Sequence, residues 1–86
     1  MRNYFVYILY SLAIDGYYIG YTGDVLSERL RKHNTNHKGY TGRTNDWVYV
    51  YKECFETSAE AYARERYIKS RKSKKYIGEL ISSQNV

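Results

Sequence analysis

The sequence predicts an α+β fold: a small three-stranded antiparallel sheet flanked by helices, with elements in the order β-β-α-β-α-α. Two short apolar and aromatic runs, at residues 4–10 and 17–21, stand either side of the turn pair Asp15-Gly16, which reads as a hairpin. A third such run covers residues 47–55. Helix-start residues stand after the second run and again after the third, at Asp24, Thr57 and Ser73. The 86 residues contain no proline and no low-complexity tract, so the chain is expected to form a single domain over 1–86 with one modest core and a frayed tail at about 83–86.

In the first strand Tyr4, Val6, Ile8 and Tyr10 alternate with Phe5, Tyr7 and Leu9, so both faces are apolar and the strand is expected at the centre of the sheet. The second strand is shorter. Gly20 leaves bare backbone near its end, and Tyr7 and Tyr18 come within reach of one another across the hairpin. Thr22-Gly23-Asp24 then breaks the run, and Asp24 is the expected N-cap of a helix with Val25, Leu26 and Leu30 as its buried stripe. Arg29 and His33 fall one turn apart on it.

Residues 34–46 are polar, carry Lys38 and Arg43, and are punctuated by Gly39 and Gly42. A loop of this length in a small domain is commonly functional or mobile. His37 is read as loop. Gly-Tyr-Thr-Gly occurs at 20–23 and again at 39–42, but the flanks differ and the repeat is taken as coincidence. In the third strand Trp47, Tyr49 and Tyr51 are expected on one face, Val48 and Val50 on the other. Thr57-Ser58-Ala59-Glu60 is a capping box opening a helix to about Arg71, and Ser73 caps a last helix ending near Ser82. The third strand is placed beside the first, with all three helices packed on the sheet.

The chain has 14 Lys and Arg against 9 Asp and Glu, a net charge of +5. Charge alone fits a polyanionic partner and simple solubility equally well. Twelve tyrosines supply much of the apolar area, each with a hydroxyl that needs a partner. One cysteine, Cys54, excludes an intrachain disulfide and a cysteine-rich metal site, and its apolar surroundings read as core. No apolar run approaches the roughly 18 residues that span a bilayer, and no leader pattern precedes the first strand, so a cytoplasmic protein without membrane contact is expected.

Seven basic residues and one acid, Glu65, lie between residues 64 and 75. Helical spacing sets Ala61, Glu65 and Ile68 on one sector, so the carboxylate faces the core side and needs a cation. Lys69, one turn on, supplies the ordinary i,i+4 pair. Taken singly, Tyr7 and Tyr18 read more readily as sheet residues and Arg29 and His33 as surface helix residues; Arg71-Lys72-Ser73-Lys74-Lys75 reads as a solvated helix junction by itself and, in this context, rather as a phosphate-backbone contact.

Taken in order, Phe5-Val6-Tyr7, Tyr18-Ile19-Gly20, Arg29 with His33, and Glu65 resemble the motifs of the GIY-YIG nuclease family, in particular its short single-domain, UPF0213-like members, over essentially the whole chain. The resemblance implies Tyr7 as the tyrosine of the first motif, Tyr18 and Gly20 as the second, Arg29 as the catalytic arginine, His33 as a helix histidine of the site and Glu65 as metal ligand. It implies one divalent ion, Mg2+ or alternatively Mn2+, and hydrolysis of nucleic-acid phosphodiesters, with DNA the expected substrate and DNA repair or maintenance the expected setting. Three departures stand out: Phe5 and Val6 replace the first motif's glycine and isoleucine, the segment from Gly20 to Arg29 is one residue longer, and Tyr21 stands where several members have lysine.

The chemistry suits these residue types. A phosphodiester's negative charge repels a nucleophile, so a site must add positive charge and orient water. Glu65 suits a hard ion that keeps most of its waters. Arg29 offers a planar fork to phosphate oxygens. Tyrosine ionises near pH 10, so forming the phenolate at neutral pH costs about 4 kcal/mol unless cations help or the phenol relays a proton instead. Tyr7 is the favoured base and Tyr18 the group that orients phosphate or water. Gly20, Lys38, Arg43, Arg64, Lys69, Arg71 and Lys72 are the expected nucleic-acid contacts. The alternative is a catalytically weak module that binds nucleic acid through its basic, tyrosine-rich surface. A homodimer is not indicated.

Overall fold

The computed structural model describes residues 3–35 and 38–84. Strands β1 (Tyr4–Ser11) and β2 (Gly16–Thr22) are followed by helix α1 (Leu26–His33), a 3-10 turn (Tyr40–Arg43), strand β3 (Val48–Phe55) and helices α2 (Ser58–Arg71) and α3 (Lys74–Gln84). This is the expected β-β-α-β-α-α order. The sheet runs β2-β1-β3 with both pairings antiparallel, so the third strand does lie beside the first. His37 and the last two positions of the expected frayed tail lie outside the described residues.

The central strand organises two layers. Val6, Tyr7, Ile8 and Leu9 are all fully buried, as a strand apolar on both faces requires. Val6 and Ile8 point to the layer of α2 and α3, meeting Ala61, Ile68 and Ile77. Tyr7 and Leu9 point the other way, to Trp47 and to Leu26 and Leu30 of α1. Each such side chain contributes about 1.5–3 kcal/mol by leaving water, so this one strand ties both layers together.

The hairpin closes where Ser11 faces Gly16. Asp15 takes the left-handed backbone at φ 48°, and its Oδ1 accepts the Tyr10 hydroxyl at 2.7 Å. From the far side Asp46 accepts Ser11 Oγ, the Ala13 N–H at 2.9 Å and Thr44 Oγ1 at 2.8 Å. Those donors, led by Ser11, hold its carboxyl down at about 2.

Four local expectations are corrected. A register shift opposite Ile8 and Leu9 leaves Val50 unpaired, so Tyr49 joins Tyr7 on one face while Tyr51 joins Ile8 on the other; Trp47 precedes the strand. Helix α1 starts two residues after Asp24, because Thr22 Oγ1 accepts the Asp24 N–H at 3.0 Å and holds it in a turn; Val25 occupies the N-cap without a side-chain bond and is exposed. Cys54 is exposed, since Phe55 takes the inward position against Val6 and strand alternation turns Cys54 to the other face. The last helix continues past Ser82 to Gln84, whose Oε1 accepts the Lys52 N–H at 3.0 Å. The caps at Thr57, accepting the Glu60 N–H at 3.2 Å, and at Ser73, accepting the Tyr76 N–H at 3.2 Å, form as expected.

Candidate active site

Tyr7 is the hub. The β1/β2 register sets Tyr7 opposite Gly20 and Leu9 opposite Tyr18, so both phenols share a face, their ring centroids 6.4 Å apart. A Cβ on Gly20 would lie 2.7 Å from the Tyr7 hydroxyl oxygen and 3.0 Å from Tyr18 Cε2. Gly20 is itself buried, so its part is to admit the two rings. Helix α1 brings Arg29 and His33 to the same phenol from above. Arg29 Nε donates to the Tyr7 oxygen at 3.3 Å, and His33 Nε2 lies 2.7 Å from it. Tyr49 stands edge-on to Tyr7 at 5.5 Å, and its hydroxyl donates to the Leu26 carbonyl at 2.6 Å, fixing the start of α1 over the strand.

Burial pushes the Tyr7 phenol up to about 12, against the opposing hydrogen bond and charge of Arg29. The same bond raises Arg29 further, so it stays charged.

Beside this hub opens a cavity of about 570 Å³ lined by Tyr18, Arg29, Arg31, Lys32, His33 and the turn at 39–41. Three cations on one wall suit an anionic ligand. Arg31 is partly offset by Glu28 at 2.6 Å, and Lys32 lies 3.9 Å from Asp24. Neither cation was singled out from the sequence, although both stand directly before His33 in the last turn of α1. Arg29 and His33 line the cavity and touch Tyr7, so they connect the buried phenol to open space.

Glu65 comes from the opposite layer. With Ala61 and Ile68 it is buried on one side of α2, as helical spacing required. The expected pair with Lys69 forms, Nζ lying 3.6 Å from Glu65 Oε1. Lys69 Nζ also stands 5.9 Å over the Tyr18 ring, so it reaches past β2, an outer strand, and links Glu65 to the phenol side. Glu65 does not line the cavity. Among the described residues no group of three or more His, Cys, Asp or Glu is placed to hold a metal. A single hard carboxylate fits an ion that takes one protein oxygen and keeps its waters; it does not fit a protein cage.

The remaining expected contacts are scattered. Lys38 and Arg43 are exposed on the loop, where Arg43 lies 5.5 Å over Tyr40 and Tyr40 stacks 6.4 Å from Tyr18 beside the cavity. Arg64 turns inward to Glu53 at 3.2 Å, Arg71 packs over Tyr67 and Tyr76, and exposed Lys72 takes the left-handed position that ends α2. Helical spacing sets Arg64 and Arg71 on the flank of α2 opposite Lys69.

Two residues that the sequence did not flag support the hub. His33 Nδ1 lies 2.8 Å from Thr41 Oγ1. Asn34 brackets the Trp47 backbone, Oδ1 accepting its N–H at 2.9 Å and Nδ2 donating to its carbonyl at 3.1 Å, while Trp47 Nε1 donates to the Thr41 carbonyl at 2.8 Å. A polar loop offers no periodicity from which such contacts can be read.

Comparison with known proteins identifies the family of the chain. Residues 3–78 match the GIY-YIG catalytic domain. A UPF0213 protein of Haloquadratum walsbyi is 34% identical over 82 residues, covering 92% of this chain and 91% of that protein. No solved structure matches. With most of its length matched and its two tyrosines, arginine and histidine gathered at one place, the chain belongs to the GIY-YIG family of nucleases.

Proposed function

We propose that the protein is a metal-dependent endonuclease hydrolysing nucleic-acid phosphodiesters, with DNA as the substrate. The observation that carries this reading is the Tyr7 hydroxyl held between Arg29 and His33 beside a cavity walled by cations. Glu65 would hold one divalent ion, Mg2+ or Mn2+, which when bound neutralises negative charge on the phosphate and on the departing oxygen. The chain's own groups do the rest. Arg29 turns its fork to the phosphate oxygens, and in doing so leaves the long 3.3 Å bond to Tyr7 and uncovers that oxygen for water. Tyr18, on the cavity wall, orients the phosphate or the water.

Burial pushes the Tyr7 phenol up to about 12, which disfavours a phenolate as the starting state. It acts instead as a relay, taking the water's proton as its own passes to His33, 2.7 Å away. The test is a panel of DNA and RNA flaps, branches, duplexes and single strands with Mg2+ or Mn2+, comparing Tyr7→Phe with Tyr18→Phe. Cleavage lost on chelation, and lost more completely in Tyr7→Phe, supports the reading. Loss confined to Tyr18→Phe reverses the two roles, and salt-sensitive binding with no cleavage assigns the protein to binding alone.

A further inference from the structure

We propose that Thr41 is a positioning residue for this site: its hydroxyl accepts the proton that His33 carries on Nδ1, and so holds the ring in the form whose Nε2 can receive the proton of Tyr7. The inference rests on the proposed proton path, but the bond pattern argues for it without reference to activity. The Tyr7 oxygen accepts an N–H from Arg29 at 3.3 Å, which leaves its own proton to be placed. Tyr7 is fully buried, so its hydroxyl proton needs an acceptor within the protein. His33 Nε2, at 2.7 Å, is the acceptor that satisfies it. A neutral imidazole carries one proton, so it sits on Nδ1 and is donated to Thr41 Oγ1 at 2.8 Å.

Thr41 is built to hold that place. It is 2% exposed, and its carbonyl accepts the Trp47 indole N–H at 2.8 Å. Trp47 is 1% exposed and gripped through its backbone by Asn34, the residue next to His33. The Gly42 N–H closes the turn on the Gly39 carbonyl at 3.0 Å. The long loop thus brings one hydroxyl back to the histidine from which it departs. Thr22, the matching residue of the earlier Gly-Tyr-Thr-Gly, serves the start of α1 instead, so the two copies do different work.

During attack the water's oxygen bonds phosphorus and the P–O3′ bond breaks. The water's proton goes to Tyr7, the Tyr7 proton to His33 Nε2, and the leaving oxygen takes a proton from solvent. The imidazolium formed has both N–H groups in place, one toward Tyr7 and one toward Thr41. Among the described residues, the groups facing His33 include the phenols of Tyr7 and Tyr18, with ring centroids 5.7 and 4.9 Å away, Thr41 from the turn, and Arg29 through Tyr7.

Nitrogen-15 NMR of the imidazole rings in the free protein tests this directly, the His33 signals being assigned by their loss in His33→Gln. The wild type and Thr41→Ser are expected to hold neutral His33 as the Nδ1–H form, and Thr41→Val to lose that preference. In cleavage assays Thr41→Val should lower kcat by roughly 10–100-fold with little change in KM, and Thr41→Ser should restore it. A wild-type His33 protonated on Nε2 overturns the proposal, and that result needs no variant to fold. So does a Thr41→Val protein that cuts at the wild-type kcat. A wild type with the Nδ1–H form that cuts no substrate would instead remove the nuclease reading and leave the positioning by Thr41 standing.

Discussion

The two sides of the site are held in unlike ways. On the Tyr7 side, β1, β2, α1 and the 3-10 turn converge, and a buried phenol, an arginine, a histidine and a threonine are joined by bonds of 2.7 to 3.3 Å. On the Glu65 side one carboxylate from α2 has one cation, at 3.6 Å. A buried polar network that is fully satisfied fixes its geometry before substrate arrives. A single ion pair with an exposed lysine fixes little, and a divalent ion can displace it. On the function proposed above, the half that would handle protons is therefore built in advance, and the half that would bind the ion is left open for exchange.

Breaking the rigid half should cost most. Gly20→Ala places a methyl 2.7 Å from the Tyr7 oxygen, and because Gly20 is on the sheet beneath both phenols the ring has to leave His33. Such overpacking costs about 1–3 kcal/mol, visible as a lower Tm, and cleavage should fall by roughly 100-fold, as expected when a positioned proton-transfer group is misplaced. Asn34→Ala removes both bonds to the Trp47 backbone. Thermal unfolding should show a loss of about 1–3 kcal/mol, the cost of stranding partly buried polar groups.

The open half should respond weakly and in the opposite sense. Lys69→Met removes the cation that competes for Glu65, so the metal concentration giving half-maximal cleavage should fall by about two- to fivefold, the scale of a partly exposed pair worth up to about 1 kcal/mol. An unchanged or higher midpoint would mean that Lys69 helps to hold the ion.

A smaller effect lies outside both halves and serves as a control. Asp46, held down at about 2 from its ordinary 3.8, gives stability that is full above pH 3.8 and is lost as pH falls through 2. In Asp46→Asn, acid unfolding followed by circular dichroism should lack that component, while the metal midpoint stays where it was.

Much of this was legible in the residues. Tyr7, Tyr18, Arg29 and His33 lie on regular elements, where alternation and helical spacing say which side chains share a side, and the structure gathers all four. Glu65 was placed on the buried side of α2 for the same reason. What escaped depends on irregular backbone. The unpaired Val50 sends Tyr49 and Tyr51 to opposite faces, although strict alternation puts them together. Thr41 and Asn34 act through contacts across a loop with no periodic pattern, and Cys54 reads as core only until the strand carrying it proves to be an outer one with Phe55 taking the inward place. Arg31 and Lys32 read as ordinary helix charges because their sequence neighbours do not show the cavity they line.

The most direct measurement is a metal titration of cleavage by the wild type, Tyr7→Phe and Glu65→Gln under identical conditions. The account predicts that Tyr7→Phe lowers the plateau rate by about 100-fold or more without moving the metal midpoint, since it removes the proton relay alone, and that Glu65→Gln loses saturable dependence on the ion. A Glu65→Gln protein with the wild-type midpoint and the wild-type plateau would contradict it.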